Sequence, residues 1–236
     1  MEHIGYELRQ VDPSLLSAHN QRGAADSLFE VWLLTLLAST AVELGMDVSW
    51  KQRVWVNDEV SERGVTELRV RKSQGDFGVF EQPGWTYLVI EAAGAALEVH
   101  VDIRVTGVSG VAHEGDLVAL PADLARLLAE LSCSRPNWRH VVAVVEAKWL
   151  SSTLDPVHGR AFVTLLQELQ PQVRGLLVCS QDGPTCRTLI DRLTANGRFV
   201  GGLTTKSDAG VAAIRAEYTS MLLSWYAARD LPQPRR

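Results

Sequence analysis

Val141-Val142-Ala143-Val144-Val145-Glu146-Ala147-Lys148 is the stretch on which the reading of this chain turns. Its five-residue apolar run has the β-branched richness of a strand buried on both faces. The run ends abruptly in a carboxylate and an ammonium. Strand side chains alternate, so Glu146 and Lys148 project to one side, while Ala147 points the other way and leaves room for a packed helix. Two charges at the end of a buried strand are costly unless something pairs with them. A divalent cation together with a polyanionic substrate would supply that pairing.

Such a site needs a second carboxylate, brought in from a neighbouring strand. Upstream lies His113-Glu114-Gly115-Asp116-Leu117-Val118-Ala119-Leu120, in which Asp116 opens a short apolar strand. Further upstream, Glu30 interrupts Leu28-Phe29-Glu30-Val31-Trp32-Leu33-Leu34, an otherwise apolar helix. The order is helical Glu, strand Asp, strand Glu-x-Lys, then a helix starting at Pro156. This order resembles the PD-(D/E)XK nuclease superfamily, the restriction-endonuclease-like fold. A long apolar helix ending at Gly45, followed by strand-like Val48-Ser49-Trp50, adds to the likeness. The resemblance covers residues 23–178. Glu146-Ala147-Lys148 is the sole Asp/Glu-x-Lys in the chain, and its place at the end of the best strand carries more weight than the tripeptide. One position departs from the pattern: Gly115, not Pro, precedes Asp116.

The resemblance implies a fold class, α/β, with a central mixed sheet flanked by helices. An extended antiparallel β-meander would precede the catalytic strands. It also implies chemistry. Asp116, Glu146 and the carbonyl of Ala147 would hold Mg2+, with Mn2+ as a substitute. Magnesium favours carboxylate and water oxygens in an octahedron. Lys148 would orient or activate a water and counter the phosphate charge; a nearby metal and partial desolvation would depress its pKa and open a base role. Glu30 matches the accessory carboxylate on the first helix of many members. On the residues alone, other assignments compete. Gly-Asp is common turn material, which would make Asp116 a turn residue. Asp102, in His100-Val101-Asp102-Ile103-Arg104, and Glu114 are rival acids. Alternation puts His100, Asp102 and Arg104 on one strand face, and a solvated face is the default there. His113, His158 and Arg160 lie close in sequence to the proposed site and read chiefly as surface residues. Trp149 reads as core or interface packing, with stacking on an unpaired base as its functional alternative.

A chain of 236 residues with 46% hydrophobic residues has material for a sizeable core. The expected organisation is one nuclease-like domain over residues 1–236, with an arm at 1–22 and a tail at 230–236. No apolar run is long enough for a membrane span, and the N-terminus lacks the basic and apolar regions of a signal peptide. Cys133, Cys179 and Cys186 have no metal-type spacing, which fits a reducing cytoplasm. The net charge of −5 argues against a general nucleic-acid binder, but it is unevenly spread. Residues 1–132 hold 10 basic and 20 acidic side chains, and residues 133–236 hold 13 and 8. A local basic face is compatible with that division.

Periodicity and turn signals predict a helix over 24–44 and strands over 48–56, 65–71, 85–91, 97–105 and 117–120. A helix over 122–131 follows. Beyond the Glu-x-Lys strand come a helix over 156–169, a strand over 175–179, a helix over 185–195, a strand over 199–204 and a helix over 211–228. The function expected from all this is metal-dependent hydrolysis of DNA phosphodiesters by a cytoplasmic endonuclease. RNA stays open as a substrate. The Ala-, Arg- and Val-rich composition suggests a GC-rich genome and a setting in bacterial, including antiviral, defence or repair. Targeting would come from a partner protein or from oligomerisation, and cleavage of both strands needs two sites, which a symmetric homodimer supplies most simply. The alternative is a non-catalytic subunit of the same fold that binds a partner protein or nucleic acid. It would dock through Met221, Leu222, Leu223, Trp225 and Tyr226 on the last helix.

Overall fold

The structure, a computed structural model, describes residues 22–56, 59–65, 68–71, 75, 77, 84–131 and 135–228. The arm expected before Arg22 and the tail at 230–236 lie outside them. So do Cys133 and the turn residues Asn57, Asp58, Ser73, Gln74, Asp76, Gln82 and Pro83.

Helix α1 (Arg22–Glu43) turns its large apolar residues inward and stops before Gly45, whose φ of +76° closes the helix in the left-handed region. It leads into β1 (Asp47–Val56), β2 (Glu59–Gly64), β3 (Thr86–Ala92), β4 (Ala95–Thr106) and β5 (Ala112–Pro121). Ala93 and Gly94 join β3 to β4 with φ of +46° and +78°, the two-residue primed turn whose twist suits a hairpin. After α2 (Ala122–Glu130) and a 3-10 turn at Trp138–His140, the Glu-x-Lys run forms β6 (Ala143–Lys148). Then α3 (Pro156–Leu169), β7 (Arg174–Cys179), α4 (Pro184–Leu193), β8 (Gly197–Val200) and α5 (Asp208–Ala227) alternate.

All eight strands form one sheet in the order β2-β1-β3-β4-β5-β6-β7-β8. Pairing is antiparallel from β2 to β6 and parallel from β6 to β8. The sheet is therefore mixed, and β6 is the strand on which the pairing changes. Helices cover both faces. Phe29, Leu33 and Leu37 of α1 share one apolar cluster with Ile214, Tyr218, Leu222 and Trp225 of α5. Ala125 and Leu128 of α2, Phe162 and Leu166 of α3 and Ile190 of α4 fill the cluster on the other face. Val144 and Val145 of β6 thus enter opposite clusters, as a doubly buried strand requires. Among the described residues, no helix is long and apolar enough to cross a membrane.

Two expectations are corrected. The strand expected over 65–71 is absent at the described residues 65 and 68–71; the pairing partner of β1 is instead Glu59–Gly64. That segment, Glu-Val-Ser-Glu-Arg-Gly, has no apolar alternation to reveal it. It is an edge strand with a charged surface, which blunts pairing with other chains. The helix α5 is not a free docking face either. Met221, Leu222 and Trp225 are buried against α1, and only Leu223 and Tyr226 of that group face outward.

Candidate active site

The carboxylates converge where β4, β5 and β6 lie side by side. Val101 pairs with Leu117 and Ile103 with Gly115, which sets Asp102 directly across from Asp116. The ladder turns over at this point. Val99 and Val101 belong to the α1-side cluster, whereas Ile103 and Val105 belong to the opposite one. Leu117 also lies on the α1 side, yet a Cβ on Gly115 would meet Val118 and Val144 of the other cluster. Asp102 makes the turnover with φ of +50°, a left-handed conformation that Asp tolerates better than most residues.

Asp116 lies within β5 rather than at its start, because pairing with β4 extends that strand back to Ala112. Its Oδ2 accepts the Ala147 N–H at 2.6 Å. Lys148 Nζ stands 3.4 Å from the same oxygen and 2.6 Å from Glu146 Oε1. One ammonium therefore holds carboxylates from two adjacent strands. Glu30 reaches the same place from α1, on a helix face otherwise made of Phe29, Leu33 and Leu37. Oxygens of Glu30, Asp102 and Asp116 lie within 4.8 Å of one another, and all three residues are buried, at 6–7% exposure.

Burial is the largest influence on these groups. It pushes Asp102 up to about 7, with the neighbouring Asp116 charge adding to it and Arg71 and Lys148 opposing. Glu114 is also raised to about 7 by burial and by Asp102, Asp116 and Glu146. Glu146 is raised by burial and Asp116, against the pull of Lys148. For Lys148, burial alone would favour the neutral amine, but Asp116 and Glu146 outweigh it and raise its pKa. Two carboxylates in contact thus hold the ammonium charged in the metal-free protein, whereas the depressed value expected from sequence was for an ammonium beside a metal.

No protein-family model matches this chain, and no curated protein matches it.

The donor set can be compared with a hard cation directly. Octahedral magnesium with bonds of about 2.0–2.1 Å spaces its oxygen ligands roughly 2.9–4.2 Å apart, and three carboxylate oxygens within 4.8 Å can close to that spacing. Lys148 contacts Asp116 and Glu146, and Arg71 also opposes the charge on Asp102, but the carboxylates gathered here outnumber these cations, which favours a divalent ion chemically. Glu30 and Asp116, both expected from sequence, fall in this trio. Glu146 and Lys148 border it through Asp116. Ala147 enters through its N–H to Asp116.

Asp102 joins Asp116 rather than replacing it, and the solvated face expected for His100, Asp102 and Arg104 is corrected at the first two, which are buried, while Arg104 is half-buried. His100 is buried, stacked on Tyr87 at 4.9 Å between ring centroids and edge-on to Phe77 at 4.9 Å. Its ring lies 2.9 Å from Glu98 Oε2. The signal in the sequence was a charged residue at every second place in β4, read as outward because α2 and Phe77 could not be foreseen over it. Of the other candidates, His113 stands 3.4 Å from Glu168 at the end of α3. His158 and Arg160 lie in the first turns of α3, where Arg160 is exposed.

Proposed function

We propose that this chain is a metal-dependent nuclease of the PD-(D/E)XK type that hydrolyses phosphodiester bonds in DNA. The observation that carries the reading is the contact of Lys148 with both Asp116 and Glu146, on antiparallel neighbours β5 and β6. The route from β6 through α3 to the parallel strand β7 supports the restriction-endonuclease-like core, as does the approach of Glu30 from the first helix.

Asp116, Asp102 and Glu30 would hold the cation, with Glu146 and the Ala147 backbone as further donors. Bound magnesium would lower the pKa of a water and offset charge building on the phosphate. Lys148 keeps its proton between two carboxylates and so serves as a fixed positive charge that orients the scissile phosphate. The Ala147 N–H fixes Asp116 Oδ2 and limits which way that carboxylate can turn. Burial keeps the carboxylates poorly hydrated, which strengthens every charge interaction among them.

Cleavage of linear and supercoiled DNA with magnesium, manganese or EDTA tests the reading, beside Lys148→Ala and Asp116→Asn. Cutting that needs the metal and falls by at least about a hundredfold in both variants is expected. Cutting that persists in both variants rejects this site. Absence of cutting by the wild-type protein moves the weight to the non-catalytic subunit.

A further inference from the structure

Trp149 follows Lys148 directly, and Phe29 precedes Glu30 directly, so both rings stem from backbone that also carries a residue of the carboxylate cluster. They meet at 5.4 Å between centroids with a 60° tilt. Phe29 is buried, while Trp149 is 40% exposed. The indole is thus anchored on α1 while 40% of the residue stays exposed. The backbone on either side of it is pinned, Lys148 O accepting from Ser180 N–H at 3.0 Å. Leu150 N–H donates to Ser180 Oγ at 2.8 Å, and Leu150 O accepts from Ser180 Oγ at 3.1 Å and from Gln181 Nε2 at 3.2 Å. An open indole on fixed backbone is a ready platform, because little freedom is lost when a flat ring lies on it.

The charge around it says what kind of ring. Carboxylates of Asp102, Asp116, Glu30 and Glu146 gather here with Lys148 in contact, so phosphate attraction at this point would be local to Lys148 and a bound cation rather than spread over a basic surface. Base stacking is independent of that field and tolerant of sequence. In a duplex the base faces are already covered by their neighbours and are not offered to an indole. We propose that Trp149 stacks on an unpaired base next to the scissile phosphate, and that the substrate is nucleic acid with single-stranded character at the cleavage point. The inference rests on the nuclease reading and adds strand preference to it.

The test is the binding of fluorescein-labelled oligothymidylate, and of a duplex of the same length, by anisotropy with calcium present. Trp149→Leu keeps an apolar side chain against Phe29 but removes the flat face; Trp149→Phe keeps a flat face. We expect oligothymidylate affinity to fall about tenfold in Trp149→Leu and to stay near wild type in Trp149→Phe, with weak duplex binding by all three. Indole emission should be quenched on binding in the wild type and less so in Trp149→Phe. Equal affinity of wild type and Trp149→Leu for oligothymidylate overturns the inference, as does wild-type binding that favours duplex or is absent. Magnesium-dependent cleavage by the wild type, measured alongside, judges the nuclease reading separately.

Discussion

Gly115 shows how one residue's size can set the geometry of a site. A Cβ there would lie 2.5 Å from Val118 Cγ2 and 3.0 Å from Val144 Cγ2. Neither valine can swing away, because branching at Cβ leaves its side chain few rotamers. The residue before Asp116 is therefore glycine for lack of room, which also explains why proline does not stand there. Gly115→Ala should cost about 1–3 kcal/mol in urea denaturation and displace Asp116 from Ala147 N–H. Loss of cleavage beyond what stability explains would mark the displacement. Asp102 gives a pH signature. Its folded value of about 7 exceeds the ordinary 3.8, so the folded state prefers the protonated acid. That contribution is full below about pH 4 and disappears as pH rises through 7. In EDTA, Asp102→Asn should melt higher than wild type at pH 8, by a difference that shrinks toward pH 5. A difference independent of pH would contradict the assignment.

At the scale of elements, β1, β3 and β4 are tied by a buried charge pair that reaches over the strand between them. Arg53 of β1 bonds Glu98 of β4, and its guanidinium lies 4.7 Å from the centre of the Tyr87 ring on β3. Tyr87 in turn donates to Glu62 of β2 at 2.9 Å. Four strands meet in this network, which specifies register on a face where apolar contacts alone would allow slippage. Glu98→Ala leaves the buried Arg53 with only its longer contact to Glu62, at 3.5 Å, and should cost about 1–3 kcal/mol by urea denaturation. A cost under about 1 kcal/mol would show that the guanidinium finds water instead. These strands also mark how far the sequence could be read. Long apolar elements such as α3, predicted over 156–169, form over those same residues, because period and helix start coincide at Asp155 and Pro156. Glu146, Lys148, Asp116 and Glu30 were legible because charge interrupts apolar pattern at each. Asp102 was legible only as a rival acid on a face read as solvated, and β2 was not legible. One depends on a cover that comes from distant residues, and the other has polar edge composition resembling a loop.

For the whole molecule, the chief electrostatic feature is a surplus of buried acids at one place in a chain of net charge −5. Asp102 and Glu114 both titrate near 7, so the cation-free protein should lose stability between about pH 5 and pH 8. A divalent cation that binds only the folded state should reverse this, by about 2.7 kcal/mol at a hundredfold excess over its dissociation constant. At roughly 2–4 °C per kcal/mol, that is a shift a thermal melt resolves easily. Calcium or magnesium should therefore raise the melting temperature more at pH 8 than at pH 5, and Asp116→Asn should abolish most of the rise. An equal rise in that variant would place the ion elsewhere.

The turnover of the β4–β5 ladder at Asp102 and Asp116 has one more consequence. The two aspartates stand where backbone passes from one apolar cluster to the other, so each side of the sheet has a stake in their positions. An ion clasped by both would act as a rivet through the sheet. Removing it would loosen the grip between layers before it disturbed either layer. The proposed cation site would then also be a fastener, and the empty protein would be expected to unfold less as one unit than the loaded one.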